Sequence, residues 1–285
     1  MSRRKKFFQL SEKLKAFEEG IQKNNMRKWY ELTREICSVS GGNKKIPFPV
    51  SNEKESRDLI YLITQFYIAK NKDRNEENKF CLKKNTKIFD EIHLLNERIY
   101  TREELGLTEE EMENVKQFNI GKRIYFSDWL SHSKNIFGFS VLANTDIFFD
   151  ESIYHLRKSI LPYHKCCESL LRREYNIETD LKNCKFDRGF YKFGQSQDCW
   201  IIHTNFVPEK IEIFNFNLGI IGCDTHFNYL MCKQGYLIFN SCLKLKIYHY
   251  HSTKFRTYNK RYTLKPNYHV PTGGEEEITY HINSK

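Results

Sequence analysis

Two histidines, His249 and His251, stand two residues apart in an apolar stretch, so on a strand both side chains face one side and could meet a metal ion or a phosphate together. Earlier in the chain, Phe137 to Ala143 has the length and unbroken apolar character of a strand buried on both faces, and it stops abruptly at Asn144-Thr145-Asp146. Open α/β sheets bind ligands beyond the carboxyl ends of their strands, which makes Asn144 and Asp146 candidates for a site. The triplet also reads as a turn between two strands. Asn96-Glu97 puts polar residues at a carboxyl end again, after a second strand pattern over Ile88 to Leu95, and Asp224 opens a helical pattern where an ordinary N-cap belongs.

The elements that would hold these residues follow from periodicity. Residues 2–37 carry Phe8, Leu10, Leu14, Phe17, Ile21, Trp29, Leu32 and Ile36 at helical spacing among charges, and the Ser38–Lys45 stretch ends them. Ile46 to Val50 reads as a short strand, followed by a helix capped by Ser51 or Asn52 that carries Leu59, Ile60, Leu62, Ile63 and Phe66. Lys70 to Asn78 reads as a charged loop, Ile88 to Leu95 as a strand, and Thr108 to Glu111 as a capping-box start of a brief helix. Phe118 to Phe126 reads as a short strand and turn, with Ser127 capping a helix through Trp129 and Leu130.

Beyond Asp150, Leu170 to Tyr175 and Cys199 to His203 read as strands on either side of a long polar loop. A helix from Asp224 to about Gln234 closes at Gly235, and Tyr236 to Tyr248 returns as strand. Strands alternating with helices imply right-handed crossovers and a mainly parallel sheet. The expected organisation is a basic helical extension over 1–45, one α/β domain over 46–264 with helices flanking the sheet, and a loosely held tail over 265–285.

Composition narrows the class. The 285 residues are 40% hydrophobic and 15% aromatic with only 6 Pro and 13 Gly, enough for a real core and against a disordered chain. No apolar run reaches the roughly 20 residues of a membrane span, and the expectation is a soluble, cytoplasmic protein. The 9 Cys are odd in number and without C-x-x-C spacing, so reduced thiols are the simplest reading. A net charge of +10 suits an anionic partner: nucleic acid, a phosphorylated ligand or an anionic membrane surface.

Six segments in this order resemble the nucleotide-sugar-dependent glycosyltransferases of GT-A type, in particular compact versions common in large DNA viruses and bacterial surface-polysaccharide clusters. They are Ile92–Glu97, Asn119–Arg123, Ala143–Asp150, Ser196–Trp200, Ile221–Asp224 with Gly235-Tyr236, and Tyr248–Ser252. The resemblance implies a GT-A-like α/β domain that takes a nucleoside diphosphate sugar as donor and a glycan hydroxyl as acceptor, in a host cytoplasm if the source is viral. It implies transfer of a hexose or deoxyhexose with inversion, and a divalent Mn²⁺ or Mg²⁺ at an Asp-x-Asp motif, because a diphosphate leaving group calls for positive charge.

Here that motif is Asn144-Thr145-Asp146, without its first carboxylate. Asp146 would be the oxygen ligand, Asn144 a partner of the ribose or a hydrated metal, and His249, with His251, the late histidine that completes the metal site. Gly222-Cys223-Asp224 stands where such enzymes carry the base that deprotonates the acceptor, with Asp198 the competing base or an acceptor-binding residue. Arg123 with Lys122 would steady the diphosphate, Asn96 would line the base or ribose pocket, and Arg256 with Tyr258 would close over the donor. Trp200 reads as core or as a platform for the acceptor. Two other classes stay open: a basic nucleic-acid-binding module, and a metal-dependent phosphodiesterase built on Asp146, Asp198, Asp224 and the two histidines. The first lacks zinc-finger spacing or aromatic ribonucleoprotein motifs, the second clustered carboxylates, and nucleic acid is not the expected partner. A transferase that has lost activity and persists as a scaffold is a further alternative.

Overall fold

The computed structural model describes residues 57–186, 197–251 and Leu264. The expected amino-terminal extension, the strand Ile46–Val50, Arg256, Tyr258 and the tail lie outside the described residues.

The first described element corrects the sequence reading. Leu59–Thr64 is a strand, β1, with every residue after Leu59 buried. Its apolar spacing fits one face of a helix, but six consecutive residues rich in Ile, Leu and Tyr are covered on both faces, as a central parallel strand requires. The expected charged loop over 70–78 is in turn largely the start of α1, Lys72–Asn85, whose N-cap Asn71 accepts from the Arg74 N–H. α1 has no apolar stripe to read, because Glu77, Asn78 and Asn85 are buried beside Cys81 and Leu82.

β2 (Glu91–Asn96), the single-turn helices α2 (Arg102–Leu105) and α3 (Glu109–Met112), and β3 (Val115–Asn119) follow. The Thr108/Glu111 capping box forms as expected. α4 spans Phe126–Ser133 and starts ahead of the expected Ser127 cap, since the Asp128 carboxylate accepts from the Tyr125 N–H. β4 is Gly138–Ala143, buried throughout, and β5 is Ile147–Phe149.

The expected strand over 170–175 is two strands, β6 (Cys166–Leu171) and β7 (Arg173–Tyr175), broken at Arg172. A short β8 (Lys185–Phe186), β9 (Gln197–His203) and the helix α5 (Cys223–Lys233) come next, with Gly235 just beyond α5 in the left-handed region at φ 89°. The single strand expected over 236–248 is likewise two, β10 (Leu237–Phe239) and β11 (Ile247–Tyr250).

The larger sheet runs β10-β6-β9-β4-β1-β2-β3, parallel throughout except for β9. The chain steps from β1 outward to β2 and β3, then returns to the other side of β1 as β4. That reversal opens a crevice at the carboxyl ends of β1 and β4. The smaller sheet is β5-β11-β7-β8. Two strands feed it directly from the larger one: β4 continues into β5 through Asn144-Thr145-Asp146, and β6 continues into β7 through Arg172. An apolar run therefore breaks at a polar or charged residue where the chain leaves one sheet for the other. Trp200 is fully buried against Phe126 and Phe227, so it is core and no acceptor platform. The cysteines among the described residues are buried and none is in a disulfide.

Candidate active site

Side chains stitch together the strand ends that carry the site. Thr64 Oγ1 donates to the Ala143 carbonyl at 2.8 Å, and Gln65 Nε2 donates to the Leu95 and Lys122 carbonyls at 3.0 and 2.9 Å. Thr145 Oγ1 donates back to the Gln65 carbonyl at 2.6 Å. The segments after β1, β2, β3 and β4 are thereby fixed around one cleft of about 690 Å³. Its wall also takes Lys70, Asn71 and Arg74 from the amino-terminal end of α1, Arg172 and Asp198 from the β6/β9 side, His249 from β11 and His251 from just past its end. The α1 terminus adds the partial positive charge of a helix N-terminus at the cleft wall.

Within this wall an ionic chain of alternating sign runs across both sheet-to-sheet joints. Glu77 accepts from Arg74 at 2.9 Å, and Arg74 Nη2 donates to Asp146 Oδ2 at 2.6 Å. His249 Nε2 lies 3.1 Å from the same oxygen, and its Nδ1 lies 2.8 Å from Glu174 Oε2. Glu174 Oε1 accepts from Arg172 Nε at 2.9 Å, and Arg172 Nη1 donates to Asp198 Oδ2 at 2.5 Å. Asn144 Nδ2 closes the chain on Asp198 Oδ1 at 2.6 Å. The two histidine rings stack at 5.3 Å and 9°, His249 on β11 and His251 just past its end.

Burial penalises the charges of Asp146, His249 and Glu174, and their partners decide their state. Burial alone would raise the Asp146 carboxyl, but His249 and Arg74 hold it far below the carboxylate range. Burial would lower His249, but Asp146 and Glu174 raise it to about 9; both partners are carboxylates that only accept, so the ring carries both protons. Glu174 is brought down to about 2 against burial by His249 and Arg172. His251 is lowered by burial and by Arg74, and it accepts from Arg74 Nη1 through Nδ1 at 2.6 Å.

Asp224 behaves oppositely. Burial raises its carboxyl to about 7 and Asp198 adds to the rise, against the opposing effect of the Thr225 N–H, which donates to Asp224 Oδ1 at 3.0 Å. Asp198, the competing candidate, has both oxygens engaged by Asn144 and Arg172.

The structure brings Asn144, Asp146, Asp198, His249, His251 and Arg123 to one cleft and sets Asp224 against Asp198. Arg123 is exposed and donates to the Leu218 carbonyl at 2.8 Å. Lys122 instead pairs with Asp128 and covers the Tyr125 ring. Asn96 does not line the cleft; it is fully buried behind it, accepting from the Phe66 N–H and donating to Gln117. That overturns its expected place in a base or ribose pocket, because both ends of the amide are spent on the fold. Sequence reasoning missed Arg74, Arg172 and Glu174. The one signal for Arg172 was a charge interrupting an apolar run; Arg74 lay in a stretch dense with solvated charges.

Asp146, His249 and His251 form a group that could hold a metal ion, with ligand atoms all within 4.8 Å of one another. Carboxylate plus imidazoles suits Mn²⁺ better than the harder Mg²⁺, which prefers oxygen. His251 Nε2, buried without a hydrogen-bonding partner among the described residues, is consistent with a ring not yet fully used. The residues fit the ion in type and spacing, on condition that His249 gives up the Nε2 proton it directs at Asp146.

No known family profile matches the chain, and no curated protein matches it in sequence. Among solved structures, it is similar to a mannosyltransferase, PcManGT from Pyrobaculum calidifontis, in complex with GDP-Man and Mn²⁺. That match has 12% identity and a TM-score of 0.47 over 87% of this chain and 70% of the other. S. aureus TarS is matched at 13% identity and TM-score 0.35, over 68% of this chain and 37% of that one. TarS 1–349 gives 14% and 0.34, over 70% and 60%. These are similarities of chain trace at low identity, and the chemistry of the site rests on the residues described above.

Proposed function

We propose that this chain is a glycosyltransferase that moves a hexose or deoxyhexose from a nucleoside diphosphate sugar to a glycan hydroxyl, with inversion. The observation that supports the reading best is the division of charge in one place. A cleft wall carries Arg74, Arg123, Arg172 and a helix terminus suited to a diphosphate, beside an Asp224 carboxyl poised near neutrality.

In this reading Arg123 and Arg74 bind the diphosphate, and the stitched strand ends hold the donor in the crevice. The acceptor oxygen attacks the anomeric carbon while the bond from that carbon to the diphosphate oxygen breaks, the leaving oxygen keeping the electron pair. Asp224 takes the proton of the acceptor hydroxyl. Asp198, fixed by Arg172 and Asn144, adds to the rise of the Asp224 carboxyl and so strengthens it as a base. Asp146, His249 and His251 are the residues that would hold Mn²⁺ or Mg²⁺, which when bound supplies charge to the leaving diphosphate.

Thermal unfolding against UDP, GDP, TDP and CMP, each with and without Mn²⁺, tests the reading. A ligand at about a hundred times its dissociation constant adds on the order of 2.7 kcal/mol. The expected result is a rise in Tm with one nucleoside diphosphate, enhanced by Mn²⁺, with the enhancement lost in Asp146→Ala. No shift with any nucleotide, together with salt-sensitive binding to DNA or RNA, would favour the nucleic-acid-binding module instead.

A further inference from the structure

The Arg74 guanidinium sits across two of the three metal-ligand candidates. Nη2 donates to Asp146 Oδ2 at 2.6 Å and Nη1 donates to His251 Nδ1 at 2.6 Å. Arg74 thereby takes the His251 Nδ1 lone pair and shares Asp146 Oδ2 with His249, placing a fixed positive charge where a cation bound to Asp146 and His251 would sit, and a guanidinium cannot give up its charge to make room. Arg74 is also anchored from behind by Glu77, itself fully buried, and by its place in the first turn of α1.

We propose that Arg74 is an internal competitor for the divalent-cation site, so that metal enters only by displacing the guanidinium from Asp146 and His251. The proposal rests on the assignment of Asp146, His249 and His251 as the metal ligands. It follows that the free protein binds metal weakly. The displaced side chain has somewhere to go, because Arg74 already lines the cleft, where an anionic diphosphate would receive it. Arg74 is therefore a positioning residue that links the cation to the anion: whatever draws the guanidinium into the cleft uncovers the metal ligands, and by reciprocity a bound cation frees Arg74 for the anion.

Mn²⁺ binding to the full chain, with no nucleotide present, tests this directly by titration calorimetry or by the paramagnetic resonance signal of free Mn²⁺. Arg74→Met removes the charge and the Nη donors while keeping an unbranched apolar stem. It is expected to bind Mn²⁺ at least tenfold more tightly than wild type, with Arg74→Lys in between, and Arg74→Met/Asp146→Asn is expected to lose the gain. An affinity in Arg74→Met equal to or below wild type would overturn the proposal. Should Arg74→Met fail to give a native circular dichroism spectrum, Arg74→Lys decides by the same criterion. Absence of Mn²⁺ binding in every variant would overturn the competition and the metal assignment together, while leaving the nucleotide-induced rise in Tm as a separate test of the transferase reading.

Discussion

Asp198 lines the cleft and Asp224 lies against Asp198 without lining it, and their surroundings separate them. Asp198 accepts from Arg172 on one oxygen and Asn144 on the other, whereas Asp224 is half-buried and raised to about 7. A base with that value is matched to neutral pH. Asp224→Asn is therefore expected to lower turnover at least about a hundredfold while donor affinity stays within about twofold, the pattern of an interaction made only in the transition state. The wild-type rate should fall as pH drops through about 7, where Asp224 takes up a proton, and that limb should vanish in the variant. Wild-type turnover in Asp224→Asn would transfer the role to Asp198. At this scale the chain's own order revealed Asp146, His249 and His251, because strand ends and alternate strand positions declare themselves in sequence. Arg74 could not be found the same way: its partner Asp146 is 72 positions distant, and an arginine among charges looks the same whether solvated or spent.

Elements place those residues, and α1 is the one on which most depends. Asn85 at its last turn donates to the Ile147 carbonyl at 2.9 Å and accepts from the Phe149 N–H at 3.1 Å, so one amide side chain satisfies β5 where a strand neighbour is lacking. The same clamp sets the distance from Arg74 at the start of α1 to Asp146 at the start of β5. Asn85→Ala would leave a buried carbonyl and a buried N–H without partners, at a cost of about 2–3 kcal/mol, read as a lower urea midpoint with an unchanged slope. An unchanged midpoint would mean that β5 is held by its pairing with β11 alone. The helix-for-strand exchange over 59–85 has the same origin. β1 is apolar from Leu59 to Ile63 because both faces are covered beyond Leu59, while α1 buries amides and a carboxylate, so neither shows the period that its own geometry would impose on a half-exposed element. β4 and β2 were legible since each apolar stretch ends in a polar residue, Asn144 and Asn96, although Asn96 is itself buried.

For the molecule as a whole, the junction between the two sheets carries a charge whose cost depends on pH. Glu168 lies in β6 with no exposure, and its carboxylate accepts from both the N–H and the Oγ of Ser241, which begins the link from β10 in the larger sheet to β11 in the smaller. Burial raises this carboxyl to about 7 although both Ser241 bonds oppose the rise. In the unfolded chain the group titrates near 4.5. Between those two values the folded state holds a proton that the unfolded state has released, so stability from this group is fullest below about 4.5, falls as pH rises, and levels off above about 7. Glu168→Gln keeps the acceptor for the Ser241 N–H and cannot ionise. Its stability relative to wild type should therefore improve by on the order of 3 kcal/mol between pH 4.5 and pH 7. Urea unfolding of both proteins across that range measures the difference. Parallel pH curves would mean that Glu168 is ionised throughout, its charge met by the Ser241 donors alone.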